Sequence, residues 1–95
     1  MSEPMNLPPV LDLKAAEGLR AALLARRGQP LQIDASGVQR LGGLCLQVLL
    51  AARKTWEGDV FPFSIDQRSE AFSEMLRLFG AETRFESATP IGVEA

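Results

Sequence analysis

Hydrophobic and polar positions alternate along this chain in a pattern that predicts three strand–helix units in succession. Short apolar runs bounded by turn residues indicate buried strands, and apolar residues recurring at spacings of three, four and seven indicate helices. The predicted strands are 10–13, 31–33 and 60–65, the predicted helices are 14–27, 43–56 and 70–79, turns fall at 57–59 and 66–68, and residues 83–85 are a candidate for one more strand. Because strands alternate with helices, we expect an α/β domain with a small mixed, mainly parallel sheet of about four strands and helices packed against it.

The two ends of the chain lack this periodicity. Residues 1–9 contain three prolines, and residues 87–95 show no regular apolar spacing. We therefore expect a flexible lead-in at 1–9, one domain at 10–86 and a frayed tail at 87–95. The total length of 95 residues suits a single domain.

The first predicted helix has an inward face and one unusual residue. The spacing places five residues on that face: Ala15, Leu19, Ala22, Leu23 and Arg26. Gly18 lies inside the helix, where a glycine costs about 1 kcal/mol relative to alanine. Close packing of the helix against the sheet would explain the cost.

The segment 33–50 combines a buried strand, a polar turn, two glycines and a helix that is apolar nearly all round. Only Gln47 is polar in the first three turns of this second helix. A helix with no polar face is buried on more than one side. We therefore expect it either to be central in the domain or to meet a partner with part of its surface.

Composition and charge argue against two classes of function, nucleic-acid binding and membrane insertion. The net charge is −2 and no basic block occurs, so nucleic-acid binding has no electrostatic support. The longest apolar run, 44–52, is far shorter than the ~20 residues that span a bilayer, so we expect no membrane insertion. One cysteine and no signal-peptide pattern indicate a cytoplasmic protein.

The residues that usually carry out catalysis are missing. There is no histidine, and no spacing of acidic or sulfur ligands suggests a metal site. Cys45 sits among apolar residues and is predicted to be a small core residue rather than a nucleophile. Gly42 and Gly43 could let a helix start approach a phosphate, but no nucleotide-binding motif accompanies them. We expect no enzyme activity, no cofactor and no metal, with weak nucleotide or anion binding as an alternative.

The order of residues after the second strand resembles the core of a STAS domain, the sulphate-transporter and anti-sigma-factor-antagonist family. The matching positions are Ile33, Asp34, Ser36, Val38, Leu41 and the helix from Gly43. The segment SEAFSEMLRLFG at 69–80 resembles the next helix of the family. The resemblance covers roughly residues 10–80 and implies a STAS-like α/β fold that acts by binding other proteins.

One branch of this family is regulated by phosphorylation of the turn before the second helix, which reads Asp-Ser-Ser/Thr-Gly. Those four positions fall at Gly42, Gly43, Leu44 and Cys45 here. Leu44 therefore occupies the phosphoacceptor position, and a leucine cannot accept the charge of about −2 that a phosphate adds. The resemblance implies a protein without the usual switch.

Two other branches of the family resemble this chain in departing from the phosphorylated turn. The RLG-x-x-C-L-Q-V-L-L run resembles the STAS protein found with alphaproteobacterial chemotaxis genes, which implies an accessory regulator that binds a histidine kinase. The other branch is the STAS subunit of a phospholipid-trafficking ABC transporter, which docks on the ATPase. The first branch is the better match in the turn and in the helix.

The candidate partner-binding surface is the turn together with the exposed side of the second helix. Its residues are Ser36, Gly37, Gly42, Gly43, Leu44 and Gln47. Alternatively, Ser36 is a displaced phosphoacceptor, or Leu44 and Leu50 belong to the core and the binding surface lies elsewhere.

Overall fold

A computed structural model describes residues 3–85 of the chain and contains five short strands and three helices within that range. In chain order they are β1 Met5–Asn6, β2 Val10–Leu11, α1 Ala15–Ala25, β3 Leu31–Ala35, β4 Arg40–Leu41, α2 Gly43–Asp59, β5 Phe63–Arg68 and α3 Glu70–Leu78. The predicted alternation of strands and helices is confirmed, with differences at several boundaries.

The strands pair in parallel, as the sequence predicts. β3 lies between β1 and β5, and β2 pairs with β4 in a second, two-stranded ladder. Backbone hydrogen bonds extend each ladder: the Leu7 amide donates to the Asp34 carbonyl at 3.0 Å beside the β1–β3 pair, and the Gln39 amide donates to the Pro9 carbonyl at 2.7 Å beside the β2–β4 pair. The segment 5–11 therefore runs along the segment 33–41. The α/β fold with parallel strands is confirmed, but the five described strands form two wholly parallel ladders rather than one mixed sheet of about four strands.

Strand β1 was not expected, because the sequence analysis placed residues 1–9 in a lead-in. Met5 and Leu7 are nonetheless buried, and Met5 pairs in register with Ile33. Two paired residues between prolines are too few to give an apolar alternation, so the pattern could not reveal this strand. The predicted tail at 87–95 lies outside the described residues.

The strands and helices enclose one apolar core. Its fully buried large side chains include Leu11, Ile33, Leu41, Leu49, Trp56, Ile65, Phe72, Leu76 and Phe85. The indole nitrogen of Trp56 donates to the Gln29 carbonyl at 2.7 Å, so the largest core side chain has its polar atom satisfied.

Helix α1 buries a slightly different face from the predicted one. Ala16, Leu19 and Leu23 are buried, whereas Ala22 is exposed. Gly18 is also exposed, and a Cβ placed on it would meet nothing within 4 Å. The expectation that Gly18 allows close packing against the sheet is therefore wrong.

Helix α2 is longer than predicted, and β5 begins later. Residues 57–59 are helical rather than a turn, and Asp59 receives a bidentate ion pair from Arg27 at 2.8 and 3.2 Å. Val60 ends the helix at φ 62°, in the left-handed region. β5 then continues through residues 66–68, which were predicted to form a polar loop. Its pairing with β3 shifts in register directly after Ile65, where the side chains of β5 become polar.

Helix α3 follows the local sequence rules closely. The Ser69 hydroxyl oxygen accepts from the Phe72 amide at 3.0 Å as an N-cap, Phe72 and Leu76 are buried, and Gly80 follows at φ 66°. Residues 83–85, the candidate strand, instead lie in turns, and Phe85 packs its ring against Phe63 with centroids 6.4 Å apart.

Candidate functional site

The predicted surface residues fall into two groups, because strand β4 separates the Ser36–Gly37 turn from the start of α2. Ser36, Gly37, Gly43, Leu44 and Gln47 are exposed, and Gly42 is half-buried. The list therefore describes solvent-facing residues but not one compact site.

The turn after β3 is closed by Asp34. Its carboxylate oxygen Oδ1 accepts from the Ser36 amide at 2.9 Å and from the Ser36 hydroxyl at 2.6 Å. The hydroxyl bond first, and then the amide bond, lowers the pKa of Asp34 below its usual value. Such a side-chain turn fixes the backbone locally, and a phosphate added to Ser36 would stand beside a carboxylate. This geometry fits a Ser36 that stabilises the turn better than a Ser36 that accepts a phosphate.

The start of α2 depends on the absence of a side chain at Gly42. The Gly42 amide donates to the Leu11 carbonyl at 2.8 Å, and a Cβ on Gly42 would lie only 3.2 Å from that oxygen. Gly42 is the N-cap in extended conformation, makes no side-chain cap bond, and is followed by no acidic residue in the first turn. The glycine thus allows β2 and β4 to approach closely where the helix begins.

Leu44 is the second residue of α2 and is 48 % exposed, so it is not a core residue. A Cβ on its neighbour Gly43 would lie 3.7 Å from the ring carbon Cζ of Phe79, which is 51 % exposed. Leu78 precedes Phe79 and is also exposed. Exposed large apolar side chains therefore gather where α2 begins and α3 ends.

Leu13 adds to the same end of the molecule from a third segment. It follows Asp12, whose backbone carbonyl lies 3.2 Å from the Cys45 sulfur, and it is exposed. We call the four residues Leu13, Leu44, Leu78 and Phe79 the α2 N-terminal surface. Clusters of exposed large apolar side chains mark sites where proteins meet partners.

Sequence reasoning found Leu44 but missed the other three members. Phe79 continues the 3, 4, 7 spacing of the α3 core face, yet it lies past the last helical turn and its side chain reaches solvent. Leu13 was assigned to a strand, but it lies in the turn before α1. The approach of Phe79 to Gly43 sets the end of α3 beside the start of α2, and sequence spacing does not reveal it.

Cys45 is buried, as predicted. Its thiol donates to the Asp12 carbonyl at 3.2 Å, and burial, followed by the nearby Asp12 charge, raises the pKa of the thiol. A raised pKa keeps the sulfur protonated at neutral pH, and the thiol is a poor nucleophile.

Gln47 and Leu50 take different places on α2. Gln47 is exposed and faces a groove between α1 and α2, whereas Leu50 is half-buried and packs against the core. The alternative that Leu44 and Leu50 belong to the core thus holds in part for Leu50, which is half-buried, and fails for Leu44, which is exposed.

Residues 3–85 contain neither a metal-ligand cluster nor a membrane-spanning helix. In that range no three His, Cys, Asp or Glu side chains come together as a metal site. None of the helices described there has the length and apolar character needed to cross a membrane.

One protein-family model matches most of the chain. The family model described as "Mlab, STAS domain" matches residues 4–89, which is most of the chain. Searches of curated proteins and of solved structures found no match. The matched region contains every strand and helix described above, and the mixed α/β architecture with parallel strands fits that family. The chain therefore belongs to the STAS domain family.

Proposed function

We propose that this protein is a non-enzymatic interaction module, resembling anti-sigma-factor antagonists, that docks on a partner protein through its α2 N-terminal surface. One observation carries the proposal: Leu44, at the position where the phosphorylated branch has its hydroxyl, is 48 % exposed beside the half-exposed Phe79. An apolar contact of this kind is present at all times, whereas a phosphorylated hydroxyl is switched.

The exposed apolar side chains of the α2 N-terminal surface can contribute binding free energy. Fully burying a Leu or Phe side chain contributes roughly 1.5–3 kcal/mol, so about half of that is still available at Leu44 and Phe79. Leu13 and Leu78 are 75 % and 69 % exposed and offer more. A few such anchors dominate the energy of many protein interfaces.

The partner that we propose is a histidine kinase of a bacterial chemotaxis or related signalling system, in the cytoplasm. The support is the resemblance of the Arg40–Leu50 run to the chemotaxis-associated branch of the family. The ATPase of a phospholipid-trafficking ABC transporter is the second candidate, because a permanently apolar Leu44 also suits a subunit that stays docked.

The experiment is a pull-down with purified histidine kinase and, in a separate arm, with the transporter ATPase. We expect wild type to retain one of them, and Leu44→Asp to lose it with an unchanged circular dichroism spectrum. Val60→Asp is the matched control, because Val60 is 86 % exposed at the opposite end of α2. Binding that survives in folded Leu44→Asp would exclude this surface.

Nucleotide or anion sensing is the alternative function, with the uncapped start of α2 as the place where an anion would bind. Its support is the absence of a side-chain cap at Gly42 and of an acidic residue in the first turn of α2. Calorimetry with ATP and GTP tests it, and we expect no heat of binding at millimolar nucleotide.

A Ser36 phosphoswitch is tested by incubating the protein with the cognate kinase and measuring its intact mass. Because the Ser36 hydroxyl already donates to Asp34, we expect no added phosphoryl group. A stoichiometric mass gain that is lost in Ser36→Ala would restore the switch.

A further inference from the structure

A groove of about 490 Å³ runs between α1 and α2, away from the Ser36–Gly37 turn. The two helices run side by side in the same direction, because Asp12 meets Cys45 at their N-terminal ends and Arg27 meets Asp59 at their C-terminal ends. The residues that matter for the argument are Arg20 and Leu24 on α1, and Val48, Ala51, Thr55 and Trp56 on α2.

The groove is apolar at its base, and two of its α2 residues, Ala51 and Ala52, have short side chains. Leu23, Ala52 and Trp56 form a buried floor, while Leu24 stands 48 % exposed on one wall. Ala51 is exposed on the other wall and has no side chain long enough to cover the floor. The volume lies within the range of about 300–1,000 Å³ that is typical of ligand sites.

The shape of the groove suits a helix. Val48, Ala51 and Thr55 follow one another at spacings of three and four along α2, which covers about 10 Å at 1.5 Å per residue. A third helix presents apolar residues at i, i+4 and i+7 over the same length. Both walls are helices with internally bonded backbones, so an added strand would find no ladder to extend.

The charge of the groove indicates what the helix carries. Arg20 is the only charged residue of the lining, and it is exposed. Within residues 3–85 the guanidinium of Arg20 makes no hydrogen bond or ion pair, even with Glu17 one turn earlier on α1. An unpaired guanidinium beside an apolar groove favours a carboxylate on whatever binds there.

We propose that the α1–α2 groove binds an amphipathic helix of a partner protein, with its apolar residues on the groove floor and an acidic residue paired with Arg20. The inference rests on the proposed function in one respect, that the ligand is a protein. Its site is separate, since Leu44 does not line the groove.

The test is a display selection of helical peptides, randomised on one face, against the full chain. We expect enriched peptides to share apolar residues at i, i+4 and i+7 and one Asp or Glu at a fixed offset. Trp56, the only tryptophan, lies in the groove, so tryptophan-free peptides should change its fluorescence on binding.

Two variants and two controls locate the binding. Arg20→Glu is expected to weaken the selected peptides by at least about fivefold and Ala51→Arg by at least about tenfold. Arg84→Glu and Ala22→Arg, at exposed positions outside the groove, should change affinity less than about twofold. No enrichment, or enriched peptides that bind both groove variants like wild type, would overturn the inference.

The same peptides separate this inference from the proposed function. Leu44→Asp should keep peptide binding and lose the pull-down partner. Peptides that bind while wild type retains neither the histidine kinase nor the transporter ATPase leave the groove in place and remove both partners named in the proposed function. If wild type retains a partner that Leu44→Asp loses, but selects no groove peptide, the α2 N-terminal surface stands and the groove proposal falls.

Discussion

Helices α2 and α3 lie in the same small domain, but only α3 follows the ordinary rules of helix construction. α3 begins with the Ser69 cap, buries Phe72 and Leu76, and ends before Gly80 in the left-handed region. α2 begins at Gly42 without a side-chain cap, exposes Leu44 in its first turn, and ends with Val60 in the left-handed region.

The difference separates structural residues from candidate functional ones. Every departure in α2 lies at one of its ends, while its middle packs Leu46, Leu49 and Trp56 into the core. A sequence feature that departs from local rules without improving packing marks a functional candidate. Gly42 has a structural reason in the close Leu11 carbonyl, whereas the exposure of Leu44 has none.

The largest expected effect comes from two leucines in α2 that differ only in burial. Leu49 is fully buried and Leu44 is 48 % exposed. Leu49→Ala should lower the free energy of unfolding by about 2–5 kcal/mol, and Leu44→Ala by less than about 1 kcal/mol. Urea denaturation followed by Trp56 fluorescence measures both. Equal losses would make Leu44 a core residue and remove the contrast.

The cap of α3 gives the next effect. The Ser69 hydroxyl accepts from the Phe72 amide and donates to the Val38 carbonyl at 2.5 Å, so Ser69→Ala leaves both groups without this partner. We expect a loss of about 1–2 kcal/mol in denaturation. Ser73→Ala, at an exposed position of the same helix, is the control and should cost under about 0.5 kcal/mol.

The C-terminal ends of the two helices predict changes of opposite sign. Val60 at φ 62° bears the strain of a side chain in the left-handed region, so Val60→Gly should raise stability by about 1 kcal/mol. Gly80→Ala at φ 66° should lower it by a similar amount, although a Cβ there meets nothing within 4 Å. Thermal unfolding measures both, and a Val60→Gly variant less stable than wild type would contradict the strain.

The smallest effect concerns the ion pair that joins the C-terminal ends of α1 and α2. The Arg27 hydrogen bond lowers the pKa of Asp59 below its usual value. A lowered folded-state pKa stabilises the fold above the unfolded value of about 3.9, and that stability is lost as pH falls through the folded pKa. Wild type should therefore melt slightly above Asp59→Asn at pH 7 and lose that margin below about pH 4. A margin that persists at low pH would contradict this.

The order of the main elements could be predicted because each leaves a local signal in the sequence. Ser69 and Gly80 bound α3, and Gly42 with Gly43 marks the start of α2. Strand β1 gave no such signal, since only two of its residues pair. The end of α2 was missed because the residues around Gly58 read as a turn, while the ion pair from Arg27 to Asp59 forms only in the folded chain.

The candidate site was predictable only in part, for the same reason. Leu44 stood out because the STAS resemblance predicts a phosphoacceptor at its position, whereas the approach of Phe79 to the start of α2 depends on the folded chain. The groove between α1 and α2 left no sequence signal, because Arg20 and Val48 are ordinary residues of their helices.

The most direct test of the central claim is the dissociation constant of the retained partner for wild type, Leu44→Asp and Val60→Asp, measured by titration calorimetry. The burial of Leu44 in the interface predicts a loss of at least about tenfold for Leu44→Asp, since about 1.4 kcal/mol corresponds to a factor of ten. Val60→Asp should stay within about twofold of wild type, because Val60 lies at the far end of α2. Equal affinities for wild type and a folded Leu44→Asp would contradict the claim that this surface binds the partner.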